Sequence, residues 1–261
     1  MKYSINSKIM IFFRKIGLAS VAWSFRRLYV PVNKDALVLE VGSGGNPYFR
    51  SNVLIDAFLN TRERHYEKLV TDRPMVLGFV ENLPFKDNSF DFVIASNVLE
   101  HSWEPEKFIS ELQRVAKAGY IEVPDAFFER LTCYRDHKLE ITDKNCILEI
   151  RKKSNYIHDK EVYDLFNNKV SKIFQKINKV DPFKFAVTYY WSKDNGGIKY
   201  KIINPEYEFD WTPPEEPNGG LIRSISLIAK IKRIILKLVR KFLSQNNRNK
   251  KDRKSTRLNS S

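Results

Sequence analysis

Five short apolar runs punctuate the first half of the chain, at residues 36–41, 53–56, 74–79, 90–95 and 120–123. The first, Ala36-Leu-Val-Leu-Glu-Val41, is almost uninterrupted and is closed by Gly42. A run without polar alternation is what a strand buried on both faces requires, as in a parallel sheet. Between the last two runs, Phe108, Ile109, Leu112 and Val115 recur at helical spacing within 105–117. Strands alternating with crossovers predict an α/β fold: a doubly wound, Rossmann-like, mostly parallel sheet with helices on both faces. Residues 5–29 read as one leading helix, its apolar positions interleaved with basic ones and ended by Pro31.

After about residue 130 the pattern becomes β-rich. Residues 137–142 and 146–152 suit a hairpin, and 184–191 with 198–203 suit another across Asp194-Asn-Gly-Gly197. Residues 204–220 are rich in Pro and Gly and read as a linker. Within 221–251, residues 221–243 predict a basic amphipathic helix, with Arg223, Lys230, Arg233, Lys237 and Arg240 opposite Ile225, Ile228, Ile235, Leu238 and Phe242. The last ten residues, 252–261, resemble the in-frame translation of a sequencing-library adapter and are set aside from the fold. The main domain is thus expected over 31–203, with its ligand-binding core at 36–125.

Composition narrows the class. With 261 residues, 43% hydrophobic and 29% charged, the chain suits one large globular domain or two small ones. Two cysteines, Cys133 and Cys146, exclude a zinc ribbon and a disulfide scaffold and fit a reducing, cytoplasmic setting. No metal site is expected. The apolar run at 9–13 is stopped by Arg14 and Lys15, which argues against a signal peptide. No run of 18 uncharged apolar residues predicts a spanning helix. The net charge of +14 belongs to the tail: residues 1–220 hold 32 basic and 30 acidic residues, whereas 221–251 hold ten basic and none acidic. A nucleic-acid groove through the body is therefore not expected. The helix at 221–243 suits an anionic membrane surface, a partner helix, or plain packing on its own domain.

In doubly wound sheets ligands sit at the carboxyl ends of the strands, so the residues after each run carry the chemistry. The first run leads into Glu40-Val-Gly42-Ser43-Gly44-Gly45-Asn46-Pro47. A dinucleotide fingerprint needs a third glycine where Pro47 stands, which argues against NAD(P) or FAD. Asn46 and Pro47 suit the N-cap and first position of a helix of one or two turns. Asp56, at the end of the second run, can accept both hydroxyls of a ribose, or cap the segment that follows.

Taken together, residues 36–125 resemble the core of class I S-adenosylmethionine-dependent methyltransferases of the small-molecule type. The resemblance rests on Leu37-Val-Leu-Glu-Val-Gly-Ser-Gly-Gly45, Val53-Leu-Ile-Asp56, Glu81-Asn-Leu-Pro-Phe-Lys-Asp-Asn-Ser-Phe-Asp91, Val98-Leu-Glu-His101 and Gly119-Tyr-Ile-Glu-Val-Pro124, in family order over some ninety residues. It implies S-adenosyl-L-methionine as cofactor. Glu40 then orients the glycine turn and faces the methionine amino group, Gly42, Ser43 and Gly44 line the methionine and ribose, and Asp56 binds the ribose. Phe79 and Val80 fall at the adenine, where Phe79 replaces the family's Asp and can stack on the ring. Asn97 to His101 face the methyl group.

Methyl transfer needs alignment of the acceptor, and a base if the acceptor is a hydroxyl. His101 is the first candidate base, because imidazole titrates near neutrality; its other reading is a cap for the helix at 104–117. Asp125 is the second and equally suits an N-cap for 126–131. His137 is the third. The expected function is methyl transfer to a small-molecule or lipid-linked glycan acceptor, and the alternative is a non-catalytic adaptor on the same fold. A nucleic-acid methyltransferase is disfavoured by the near-neutral body. The acceptor and the oligomeric state are not legible in the sequence.

Overall fold

The computed structural model describes residues 7–28, 30–64 and 67–212, all within one compact unit spanning Met1–Pro214. Among these residues nine strands form: β1 (Val38–Val41), β2 (Val53–Asp56), β3 (Met75–Leu77), β4 (Phe92–Ser96), β5 (Ala118–Pro124), β6 (Leu139–Lys144), β7 (Ile147–Lys152), β8 (Ala186–Ser192) and β9 (Tyr200–Ile202). The main sheet runs β3-β2-β1-β4-β5-β8. Its first five strands are parallel, and β8 closes the edge antiparallel to β5. This is the mostly parallel α/β sheet the apolar runs predict.

Those runs lack alternation because each strand feeds two cores. Leu39, Val41, Val93, Ala95, Ile121 and Val123 pack on one face with Phe108, Ile109, Leu112 and Val115 of a helix at Pro105–Val115. Each of these four helix side chains is buried, worth about 1.5–3 kcal/mol apiece. Val38, Phe92, Ile94 and Tyr120 turn the other way, against Val30 and Tyr48. Glu40 and Glu122 alternate onto this second face. There Arg26 donates two hydrogen bonds of 2.6 Å to Glu122, which also accepts from Tyr120 Oη at 2.7 Å and Ser96 Oγ at 2.9 Å. The Arg26 guanidinium lies 3.7 Å from the Trp23 ring centroid, so the leading segment is bolted to the sheet by a buried ion pair.

Three expectations are corrected. The leading segment is two helices, α1 (Lys8–Lys15) and α2 (Ala19–Phe25), broken where Gly17 takes φ 79°; continuous periodicity does not reveal a left-handed residue that ends a helix. No helix follows Pro47. The backbone there is satisfied from the side: Tyr48 N–H donates to Glu40 Oε2 at 2.8 Å, and Arg73 donates to the carbonyls of Tyr48, Phe49 and Ser51. Nor do 184–191 and 198–203 pair with each other. β8 makes seven pairs along the edge of β5, which outcompete a three-residue partner, and β9 pairs in parallel with β7.

The hairpin of β6 and β7 forms as expected. With α3 assigned to Pro105–Val115, the remaining helices are α4 (Ala126–Thr132), α5 (Lys160–Leu165) and α6 (Ser171–Val180). Phe174 of α6 is wedged among Phe128, Phe166 and Phe185 at centroid distances of 5.8, 5.3 and 4.9 Å. Residues 213–220 of the expected linker, the basic segment 221–251 and the tail 252–261 lie outside the described residues. Among the described residues no helix is long and apolar enough to cross a membrane.

Candidate active site

A cleft of about 820 Å³ opens at the carboxyl ends of β1, β2 and β4. Gly42, Gly44, Asp56, Phe79, Val80, Asn97 and His101 line it. A second depression of about 610 Å³, at residues 31–36 and Asp91, lies at the opposite strand ends. The crevice rule for α/β sheets selects the first.

The glycine turn packs closely against the residues after β4. Gly42 and Gly44 take φ values of 59° and 57°. A Cβ on Gly42 would stand 2.1 Å from Val98 Cγ2, so no side chain fits. Gly44 N–H donates to Asp56 Oδ2 at 2.9 Å, which ties the turn to the end of β2. Ser43 between them is buried, and its Oγ has no hydrogen-bond partner among the described residues. The other oxygen of Asp56 accepts from Phe58 N–H at 3.2 Å and pairs with Arg64 at 3.1 Å.

Glu40 lies beneath the turn, outside the cleft lining. Its Oε2 accepts from Tyr48 N–H and, at 2.5 Å, from Ser51 Oγ, so it holds residues 48–51 in place. Burial pushes its pKa up to about 7 against the pull of the Ser51 bond. Phe79 stands on the cleft wall, 57% exposed, edge-to-face with Phe58 at 5.6 Å. Val80 is buried beside it. Asn97 takes a left-handed φ of 56°, and its N–H donates to the Glu122 carbonyl at 2.7 Å.

His101 ends a 3-10 turn at Leu99–His101 and reaches the cleft. Its Nδ1 lies 3.2 Å from the Asp136 carbonyl, which can only accept, so Nδ1 carries the proton and Nε2 the lone pair. Burial, and then the charge of His137, push its pKa down to about 3, and the ring is neutral. It does not cap α3; Ser102 Oγ instead accepts from Glu104 N–H at 3.2 Å. Asp125 is the N-cap of α4, accepting from Phe128 N–H at 3.0 Å, and is not among the cleft-lining residues. His137 is buried with Nδ1 2.6 Å from Glu129 Oε2, and its ring stands edge-on to His101 at 4.7 Å. Burial works against its charged form, but the Glu129 bond and the charges of Glu129 and Glu100 prevail and raise its pKa. Phe58 and Arg64 are cleft residues that sequence reasoning missed, because neither lies in a motif or at a strand end.

Residues 39–121 match the family model for a methyltransferase domain. A stretch of 119 residues is 34% identical to the uncharacterized protein MJ1123 of Methanocaldococcus jannaschii, covering 41% of this chain and 54% of that protein. A stretch of 43 residues is 46% identical to norajmaline N-methyltransferase of Rauvolfia serpentina, 16% of this chain and 15% of that one. The chain thus spans about half or less of the length of these curated relatives. Among solved structures it is similar to the PH0226 protein of Pyrococcus horikoshii, with a TM-score of 0.31 and 18% identity over 54% of this chain and 68% of that one. It is also similar to Burkholderia thailandensis 1,6-didemethyltoxoflavin-N1-methyltransferase, with a TM-score of 0.28 and 14% identity over 34% and 45%. Over residues 39–121, about a third of its length, the chain is therefore similar to a methyltransferase domain.

Proposed function

We propose that the chain transfers a methyl group from S-adenosylmethionine to a small-molecule or lipid-linked glycan acceptor. The observation that carries this reading is the junction of the glycine turn with Asp56, a carboxylate fixed by Gly44 N–H at the cleft edge. Two features fit the cofactor: the orphaned Ser43 hydroxyl, and the exposed aromatic wall of Phe58 and Phe79 suited to a planar base. Four carboxylates, Asp56, Glu63, Glu81 and Glu104, face the cleft against the cations Arg64 and Lys107, a balance that favours a cationic ligand.

Bound there, S-adenosylmethionine would supply a methyl group on a sulfonium: the acceptor bonds the methyl carbon, the carbon–sulfur electron pair stays on sulfur, and the acceptor's proton leaves to solvent. Asp56 would accept from the ribose, sharing or exchanging its ion pair with Arg64. Glu40 acts from below by holding the 48–51 turn. Near the acceptor, His101 Nε2 offers a lone pair that orients a hydroxyl or an amine; a ring with so low a pKa is a weak proton sink, so its work is alignment more than proton storage. In the adaptor alternative Phe79 would close the cleft, whereas its side chain stands exposed on the wall.

Calorimetry of S-adenosylmethionine and S-adenosylhomocysteine binding tests the reading on the full chain. Micromolar affinity is expected, and Asp56→Ala should weaken it about thirtyfold, some 2 kcal/mol. No binding at millimolar ligand would overturn it.

A further inference from the structure

Beneath His101, a second constellation extends away from the glycine turn. Glu100 and His101 sit side by side after β4, and His137 arrives from the turn before β6. Lys138 N–H donates to the Glu100 carbonyl at 2.7 Å and stitches the two segments together. One potential ligand atom from each of Glu100, His101 and His137 lies within 4.8 Å of the other two.

Two observations point to an ion. Glu100 is 2% exposed, and neither carboxylate oxygen has a hydrogen-bond partner among the described residues. A carboxylate left so in the interior is costly unless something neutralises it. Second, both imidazoles are held from behind. Glu129 engages His137 Nδ1 at 2.6 Å and is itself bonded by Lys153 Nζ at 2.7 Å, while the Asp136 carbonyl engages His101 Nδ1. A carboxylate or carbonyl behind an imidazole fixes the tautomer that presents Nε2, the supporting arrangement of metal-ligating histidines.

We propose that Glu100, His101 and His137 form a binding site for a divalent transition-metal ion, Zn²⁺ foremost. Two nitrogens and one carboxylate oxygen suit Zn²⁺ and its first-row neighbours, whereas Mg²⁺ and Ca²⁺ prefer all-oxygen shells. Ligands at about 2.1 Å from a tetrahedral ion stand about 3.4 Å apart, so the three groups must close by up to about 1.4 Å. His101, whose side chain keeps 23% exposure, has the freedom to do so. Three protein ligands leave one position open, and His101 places it beside the cleft; with the ion bound, the Nε2 lone pair is taken up and the ion takes over holding an acceptor oxygen. The competing account is a purely structural network of His137, Glu129 and Lys153. It sets the charge of His137 near Glu100 but leaves both Glu100 oxygens without a hydrogen bond.

The test does not depend on the methyl-donor reading. The full chain is dialysed free of metal and titrated with Zn²⁺ and, separately, Mn²⁺ by calorimetry, with metal content measured after gel filtration. One equivalent of Zn²⁺ is expected. Glu100→Gln and His101→Gln should each weaken it more than about 100-fold, beyond the 10–100-fold expected of Glu129→Gln behind His137. His101→Gln spares the buried Glu129 network and keeps the test usable if other variants fail to fold. Absence of stoichiometric binding of either ion would overturn the proposal, as would Zn²⁺ binding that Glu100→Gln and His101→Gln leave unchanged.

Discussion

Arg26→Met isolates the ion pair that joins the leading segment to the sheet. Both partners are buried, with 8% and 1% of their side chains exposed. Burial alone would raise the Glu122 pKa, but the charge and hydrogen bonds of Arg26 overcome it and hold it at about 2. Against its ordinary 4.5, that displacement corresponds to about 3 kcal/mol, in line with the 3–5 kcal/mol typical of removing one partner of a buried pair. For a domain of this size the loss lowers the melting temperature by about 6–20 °C near neutral pH.

The sign with pH is specific. In the wild type the Glu122 contribution is present above the unfolded pKa and is lost as pH falls from about 5 through 2. In Arg26→Met, burial is the largest influence left, opposed only by the Arg27 charge and the remaining hydrogen bonds such as that from Tyr120, and it lifts the folded pKa above the unfolded one. The variant therefore regains stability as pH falls through that raised value. Melting curves at pH 7.5 and 5 should show the gap between wild type and variant narrowing on acidification. The double variant Arg26→Met/Glu122→Leu, with no charge left stranded, should recover much of the loss. A loss below about 1 kcal/mol, or a gap equal at both pH values, would refute the reasoning.

Gly42→Ala should lose S-adenosylhomocysteine binding and about 2–4 kcal/mol of stability, from the left-handed backbone and the Val98 clash together; calorimetry and melting read both. For Glu40, whose folded pKa of about 7 lies above the unfolded value, stability is full below about 4.5 and falls as pH rises through 7. Glu40→Gln should thus remove up to about 3 kcal/mol of pH dependence across that window, seen as a flatter melting-temperature profile than the wild type. Asp125→Ala should cost about 1 kcal/mol through the lost α4 cap while leaving S-adenosylmethionine affinity unchanged, a contrast that denaturant melts and titration check together.

The sequence by itself determined the sheet and the glycine-turn side of the cleft. Runs such as Val38–Val41, interrupted only by the buried Glu40, and Phe92–Ala95 are apolar at the positions buried on either face, and the turn after β1 carries glycines at left-handed positions. Both signals are local, so they survive without knowledge of the partner. The pairing partners were decided elsewhere: β8 extends β5 because that open edge offers a ladder of seven pairs, a fact no segment of β8 contains. So it is with the chemistry. His101 looks like a base at neutral pH when only its type is known, and becomes a neutral ring once burial and His137 surround it. Glu100 and His137 are 37 residues apart on the chain and meet only because the turn before β6 docks on the 3-10 turn after β4. Phe58 and Arg64 join the cleft the same way. Conformational preference and burial are written residue by residue, whereas the electrostatic environment of a group is a sum over neighbours that only the tertiary structure assembles.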